Sequence, residues 1–429
     1  MQTTGWGITR GVAALIALIA VAGACGEPAS ETTAVPAPPA PPAEPPSLPA
    51  VEKLAKSVGG LEPVVEIARE PDPFQRAERL AALLPTLDAG AAGGVAGLLV
   101  DPAIDLGVTE VDLLVAFWAR HDAPAAVRWA LFESPHGRRA GAIEAALMRL
   151  ASEDPKAAVE QVNAFLQMPG PFSEVAETVL VRGWFASGKP GLVEYIRDLG
   201  VGFNRQRAMS AFARAFTQRH GAQAALDWAE AIPGDDEEWQ KDVVRQTGWA
   251  AAMLDPVLAA AWCDRVCPLR PTALSLRAMI AQRWGAIDGP AAMDWVSRAP
   301  LDREQKWAVM GAFNGWWVKD QAERETWLAS TVRNGRVEPW LQPALEIYAA
   351  SISWDRPQEA LVWGARIDDA EARERTLMNV ARIWRRGDPA AADAWLDQSP
   401  LSEESRAAVR NPKATLPLPP TDEDDGVAD

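Results

Sequence analysis

The chain has 429 residues, with 58 Asp and Glu against 42 Lys and Arg, and a formal net charge of −16. Such a surface repels phosphate, so nucleic acid is excluded as a partner; that binding rests on lysine and arginine neutralising phosphates. Three cysteines and three histidines, thinly spread, offer no zinc-type cluster, and no cofactor is expected.

In chain order, residues 1–24 come first. An apolar run, GVAALIALIAVAGA (11–24), comes after the lone charge of Arg10. It is too short to cross a bilayer comfortably and has the layout of a secretory signal. It stops at Ala22-Gly23-Ala24-Cys25, which resembles the lipobox of bacterial lipoproteins, with Ala22 where that family usually has Leu. The resemblance implies a lipid on Cys25 and a mature chain that starts there. Gly26, rather than Asp, implies by the same analogy the outer membrane over the inner one. A plain signal peptide cleaved after Ala24 is the alternative. Residues 25–50 contain VPAPPAPPAEPP, which forms no core and reads as a polyproline spacer. At roughly 3.1 Å per residue it would hold the rest of the chain some 75 Å from the lipid.

Residues 51–410 read as a repeat array. Trp228, Trp262, Trp295, Trp327, Trp363 and Trp395 recur at intervals of 34, 33, 32, 36 and 32 residues. A second series, Trp249, Trp284, Trp317 and Trp384, keeps nearly the same beat, with Trp354 at a corrupted position. Segments such as PAAMDWVSRAP (290–300) and PAAADAWLDQSP (389–400) open at proline, place Trp five or six residues in, and close at another proline. Proline costs nothing in a first helical turn and stops a helix before it, so each unit begins with a helix of about ten residues. Asp255-Pro256 and Asp388-Pro389 add N-cap carboxylates. Asp302 with Gln305, and Asp235 with Glu238, read as capping boxes for the second helix. In that helix Trp307, Met310, Phe313 and Trp317 are expected on one face.

Earlier units are weaker copies. Tyr195 and Phe165 stand for the first-helix Trp; Trp118, Trp184, Leu150 and Phe216 stand in the second series. The Gly-rich stretch 85–105 reads as an irregular end cap. A lone hairpin cannot bury its apolar face, so stacked neighbours are expected to build one continuous core.

This pattern resembles tetratricopeptide-like and HEAT-like helical-hairpin solenoids. The period of about 33 residues and the unit-ending Asp-Pro favour the tetratricopeptide side, although the regular Leu-Gly pair and the Tyr one turn on are missing. The resemblance implies an all-α fold: a right-handed superhelical α-solenoid of roughly ten two-helix repeats. Residues 411–429 turn Pro-rich and then acidic (TDEDDGVAD) and read as a disordered tail. Their spacing is not that of a calcium loop.

Cys263 and Cys267 read as two small buried thiols, with a disulfide as the alternative outside the cytoplasm. His121 and His220 fall at ends of second helices, where a cation suits the helix dipole. Gly183–Lys189 has phosphate-loop spacing, but Pro190 replaces the magnesium-binding hydroxyl and the segment ends a helix. Arg386-Gly387-Asp388 is read as a repeat junction.

No catalytic motif appears, and no enzymatic activity is expected. The leading expectation is a membrane-tethered scaffold of the bacterial cell envelope. Its partners would be envelope proteins or peptide segments, reached from a membrane held through the N-terminal lipid. The alternative is a peptidoglycan or glycan binder using Trp316, Trp239, Trp307 and Trp340, with core packing as the competing role for each. A glycan-cleaving helical toroid is the third reading.

Overall fold

The computed structural model describes residues 60–101, 104–167, 172–234, 236–269, 274–332 and 337–411, all within the compact unit that begins at Leu48. Among these residues there is no strand, and no helix is long and apolar enough to cross a membrane. The signal segment, Cys25, the spacer and the acidic tail lie outside the described residues.

The N-terminal part is irregular, as the glycines suggest. Helices α1 (Glu62–Ile67), α2 (Pro73–Leu83) and α3 (Val95–Val100) are joined by 3-10 turns at Leu84–Thr86 and Ala89–Gly94. The array then alternates second and first helices. It runs α4 (Val108–His121), α5 (Ala123–Arg128, continued by a π turn at Trp129–Glu133), α6 (His136–Glu153), α7 (Pro155–Leu166), α8 (Ser173–Ser187) and α9 (Leu192–Asp198). Next come α10 (Phe203–His220), α11 (Ala222–Glu230), α12 (Glu237–Leu254), α13 (Pro256–Val266), α14 (Leu274–Gly285) and α15 (Gly289–Ser297). Last are α16 (Arg303–Lys319), α17 (Gln321–Thr331), α18 (Gln342–Ile352), α19 (Pro357–Gly364), α20 (Ala370–Gly387), α21 (Pro389–Gln398) and α22 (Glu403–Arg410). From α4 on, even-numbered helices pack on one another in succession, and odd-numbered ones flank them. The protein is an all-α helical repeat.

Six of the junctions from a second helix to the next first helix turn on one Asp. Asp122, Asp154, Asp255, Asp288, Asp320 and Asp388 share φ of −136° to −155° and ψ of 78° to 103°. Each Asp N–H donates to the carbonyl four residues back, closing the old helix. Each side chain accepts from the N–H three residues on, at 2.9–3.1 Å, opening the new one. So at each of these six junctions one Asp stops one helix and starts another. Arg386-Gly387-Asp388 is such a junction.

Across three of these Asp turns, and across the Gly188–Gly191 turn, an aromatic pair forms. Trp118 meets Trp129, Trp184 meets Tyr195, Trp284 meets Trp295 and Trp316 meets Trp327, with ring centroids 5.4–6.0 Å apart. In all four pairs the rings are eleven residues apart in sequence, and Trp384 and Trp395 keep the same spacing. The second series is therefore corrected. Trp316, not Trp317, holds the register position, four residues before its Asp. Trp249 is also off register, because Ala251 stands four before Asp255. The buried face of α16 runs Gln305, Ala308, Val309, Ala312, Phe313, Gly315 and Trp316. Trp307 is 55% exposed, so the expected Trp307–Trp317 stripe is one step off the true one. Trp317 instead lies over the guanidinium of Arg324 at 4.0 Å, with Phe313 at 4.5 Å on that same wholly buried cation. Burial lowers Arg324 to about 10.

Two caps differ from expectation. The N-cap of α12 is Asp236, accepting from Trp239 N–H at 2.9 Å, and not Asp235, which lies outside the described residues. At α16, Asp302 accepts from Gln305 N–H, but the Gln305 amide turns away to the carbonyls of Val296 and Ala299. That leaves half a capping box; the amide ties α16 to the end of α15 instead.

The core is two clusters. One gathers residues from Leu61 to Leu180 and the other from Val181 to Val409; they abut within α8, and Val159 and Tyr195 touch both. The closest packing is α14 on α16. A Cβ on Gly285 would lie 2.2 Å from the Ala312 carbonyl oxygen, on Gly311 2.4 Å from that of Ala278, and on Gly315 2.0 Å from that of Gln282. The three glycines let two backbones touch.

Ion pairs link successive second helices. Arg205 Nε donates to Asp242 at 2.7 Å between α10 and α12, both side chains almost wholly buried. Arg182 meets Glu144 at 3.0 Å between α8 and α6, and Arg76 meets Glu110 at 2.8 Å between α2 and α4. At the far end Glu374 of α20 accepts from Ser402 N–H (3.1 Å) and from the hydroxyls of Ser402 and Ser405 (2.7 Å each). Those bonds hold the Glu374 carboxyl below the usual range. A depressed folded pKa means this tether is present above the unfolded value and is lost as pH falls through the folded one. Protection of the α22 amides, relative to intrinsic exchange at the same pH, is therefore expected to fall as pH drops below the ordinary glutamate range while α14 and α16 stay protected. Equal acid sensitivity of α22 and α16 in hydrogen-exchange mass spectrometry would refute it.

Candidate functional site

The second helices leave a row of hollows across α6, α8, α10 and α12. The sequence builds it simply. On α10, Ala208, Met209, Ala211, Phe212 and Ala213 turn to the core. Arg207, Ser210, Arg214 and Gln218, at steps of three and four, form the opposite stripe. Glu174, Thr178 and Arg182 line the facing stripe of α8. Between them is a hollow of about 310 Å³. A second, of about 480 Å³, lies toward α6 between Met148, Arg182, Phe185, Gln218 and Arg219. A third, of about 330 Å³, lies toward α12 between Arg214, Gln218, Trp249, Met253 and Leu254. Arg182, Arg214 and Gln218 are each shared between hollows, so the three are contiguous.

The lining of this surface is basic, in a chain that is acidic overall. Arg182, Arg207, Arg214 and Arg219 line it, with Glu174 as the sole acidic lining residue. Arg207 reaches back to the buried Glu177 at 3.5 Å. Burial raises the Glu177 carboxyl; Arg207 lowers it, and Glu174 raises it further. Arg219 sits over the Phe185 ring at 5.8 Å. Arg214 is exposed and has no ion-pair or hydrogen-bond partner among the described residues. One end of the row is apolar: Met253 and Leu254 are 44% and 57% exposed beside the half-buried Trp249.

A separate groove of about 360 Å³ crosses the N-terminal ends of α16 and α20 and the start of α18. Trp340 and Leu301 line it with Lys306, Glu346, Glu371 and Arg375. Two of its carboxylates are already engaged: Asp302 caps α16 and Asp369 caps α20, the latter accepting from Ala372 N–H at 2.7 Å. That backbone bond holds Asp369 below the usual range.

The proposed ligand-contact aromatics therefore divide. Trp316 is wholly buried, its Nε1 donating to Glu323 at 3.0 Å, and Trp239 is 3% exposed; both are core residues in this structure. Trp316 is buried because it occupies the register position that the sequence reading gave to Trp317. Trp340 lines the groove while packing on the core, and Trp307 is exposed on α16 outside that lining. Cys263 and Cys267 are bonded to each other, with Cα atoms 4.9 Å apart. Their bond falls where α13 gives way to the 3-10 turn Cys267–Leu269, the local unwinding a four-residue bridge needs. His121 and His220 are in the last turns of α4 and α10, His121 against Phe117 and His220 against Phe216. The segment after Gly183 ends α8 at a left-handed Gly188, so no amide cradle forms there.

The basic row was missed in the sequence, yet a signal existed. Residues 199–226 hold Arg205, Arg207, Arg214 and Arg219 and no Asp or Glu, in a chain with 58 acidic residues. Three of those arginines line the row. Fold and site together define an all-α helical repeat with a basic, partly apolar surface on its second helices. Comparison with known proteins finds no matching family model, no matching curated protein and no matching solved structure.

Proposed function

We propose that this chain is a lipid-tethered, non-catalytic scaffold of the bacterial cell envelope, related to tetratricopeptide-like solenoids, that holds an extended polypeptide segment across α6 to α12. The observation that carries the reading is the contiguity of the three hollows through Arg182, Arg214 and Gln218. Compact ligands are held in one enclosed cavity, whereas repeat arrays present extended surfaces that suit chain segments. The lipobox-like Cys25 supports the tether, and the Cys263–Cys267 bond suits a compartment outside the cytoplasm. The outer membrane is inferred from Gly26 by analogy.

A photo-crosslinking residue placed at Gln218 in intact cells should yield discrete protein adducts. The same residue at Lys156, exposed on the first helix α7, should yield few. Equal adduct patterns at both positions would remove the row as the binding surface. The glycan reading is favoured by one observation, the Trp340-lined groove. Tryptophan fluorescence that responds to muropeptides, and stops responding in Trp340→Ala, would move the assignment there.

A further inference from the structure

Given that reading, the chemistry of the occupant can be named. We infer that the second-helix row takes an acidic segment in extended conformation, with a large apolar side chain at the α12 end.

Four arginines line this surface with one lining carboxylate, Glu144 and Glu177 pair with two of them, and Arg214 and Arg219 have no ion-pair partner among the described residues. Nothing in the fold needs all four there. Arg182 and Arg207 tie adjacent second helices through Glu144 and Glu177, and Arg219 rests on Phe185. Arg214 serves no such link and stands at the meeting of two hollows. A guanidinium presents a planar fork of donors that matches a carboxylate in two parallel bonds. Ser210, Thr178 and Gln218 add uncharged donors and acceptors between the arginines, which a peptide backbone can use.

The dimensions agree. Second helices packed about 8–10 Å apart put α12 about 27 Å from α6. An extended chain covers that in about eight residues. Carboxylates two residues apart fall on the same side of such a chain, so alternate acidic residues can face the arginines. At the α12 end, Trp249, Met253 and Leu254 offer exposed apolar surface with a thioether that adapts to different ring shapes. An anionic lipid headgroup would satisfy one or two arginines but would use neither the length of the row nor its uncharged donors.

The test is selection of random displayed peptides of about a dozen residues on the immobilised full chain, with an Arg214→Glu chain in parallel. Arg214 is exposed and unpaired, so its reversal leaves the fold intact, which thermal melting checks. The parent chain is expected to select peptides rich in Asp and Glu with one large apolar residue. A selected acidic peptide should bind Arg214→Glu at least about tenfold more weakly, and binding should weaken with added salt. Selection of neutral or basic peptides by the parent would overturn the acidic assignment and leave the polypeptide reading standing. Selection of nothing above background would overturn both. Binding to anionic phospholipid vesicles that Arg214→Glu abolishes, with no acidic peptide selected, would make the occupant a lipid and also overturn the inference.

Discussion

Gly315→Ala is expected to destabilise the array by about 2 kcal/mol, although alanine is the better helix former. Two effects oppose each other. Intrinsic propensity favours alanine by about 1 kcal/mol. Against it, the new methyl would sit 2.0 Å from the Gln282 carbonyl oxygen and 3.0 Å from the Ala286 nitrogen. These are backbone atoms, so no rotamer change relieves the contact and α14 and α16 must separate. Overpacking of this kind costs about 1–3 kcal/mol, and separation also loosens the matching approaches at Gly285 and Gly311. The contact energy wins, and Gly315→Val, with more volume and a smaller propensity gain, should lose more. Asn314→Ala, on the exposed side of the same turn, should change stability by less than about 0.5 kcal/mol. Denaturant unfolding followed by far-ultraviolet circular dichroism checks the series. A Gly315→Ala midpoint at or above the parent's would show that the two helices do not meet as described.

Asp242→Ala should have the largest effect of any single charge removal, about 3–5 kcal/mol. The Asp242 carboxylate takes Arg205 Nε at 2.7 Å and Arg245 at 3.3 Å, and Arg205 also donates to the Glu238 carbonyl at 3.1 Å. Arg205 is 3% exposed. Without its carboxylate the guanidinium keeps its charge and the Glu238 carbonyl but loses its only anion, in a place where water cannot replace it. The cost is that of the stranded cation, not the worth of the pair. Arg205→Met with Asp242→Leu should therefore be far less harmful than Asp242→Ala, and in a double-mutant cycle the two changes should couple strongly. Additive losses in that cycle would mean that the pair is hydrated and the burial wrongly assigned.

Much of the fold was legible because tryptophan and proline are strong markers. A side chain of that size gains most from burial when it recurs at a fixed interval, and proline fits the first turn of a helix better than any later one. The period therefore gave the hairpins, the short first helices, the Asp caps at Asp255 and Asp388, and the irregular glycine-rich start. What the period could not give was phase within a helix. Trp316 and Trp317 are adjacent, and only the eleven-residue pairing with Trp327 across Asp320 decides which is core; read alone, the stripe from Trp307 fits as well. The Gly311-x-x-x-Gly315 step was likewise invisible as a contact, because glycine carries no hydropathy signal and its partner carbonyls lie on another helix. The site was least legible. Its residues come from four helices spread over Met148 to Leu254, and their common property is charge, which averaging over an acidic chain hides. Counting acidic residues along the chain, instead of in total, would have found the gap at 199–226.

At positions 122, 154, 221, 255, 320 and 388 a single residue separates a second helix from the next first helix. The opposite connections, from first to second helix, vary from the two residues 134–135 to the ten residues 332–341. The first-to-second connections thus vary more in length, although the second-to-first junctions 188–191, 286–288 and 353–356 also run to three or four residues. At the single-residue junctions, one residue added to the adjoining helix would turn the next unit by about 100° about that helix axis, the angular step of an α-helix. Any hunt for distant kin should align the Asp turns first, because each fixes where two helices meet.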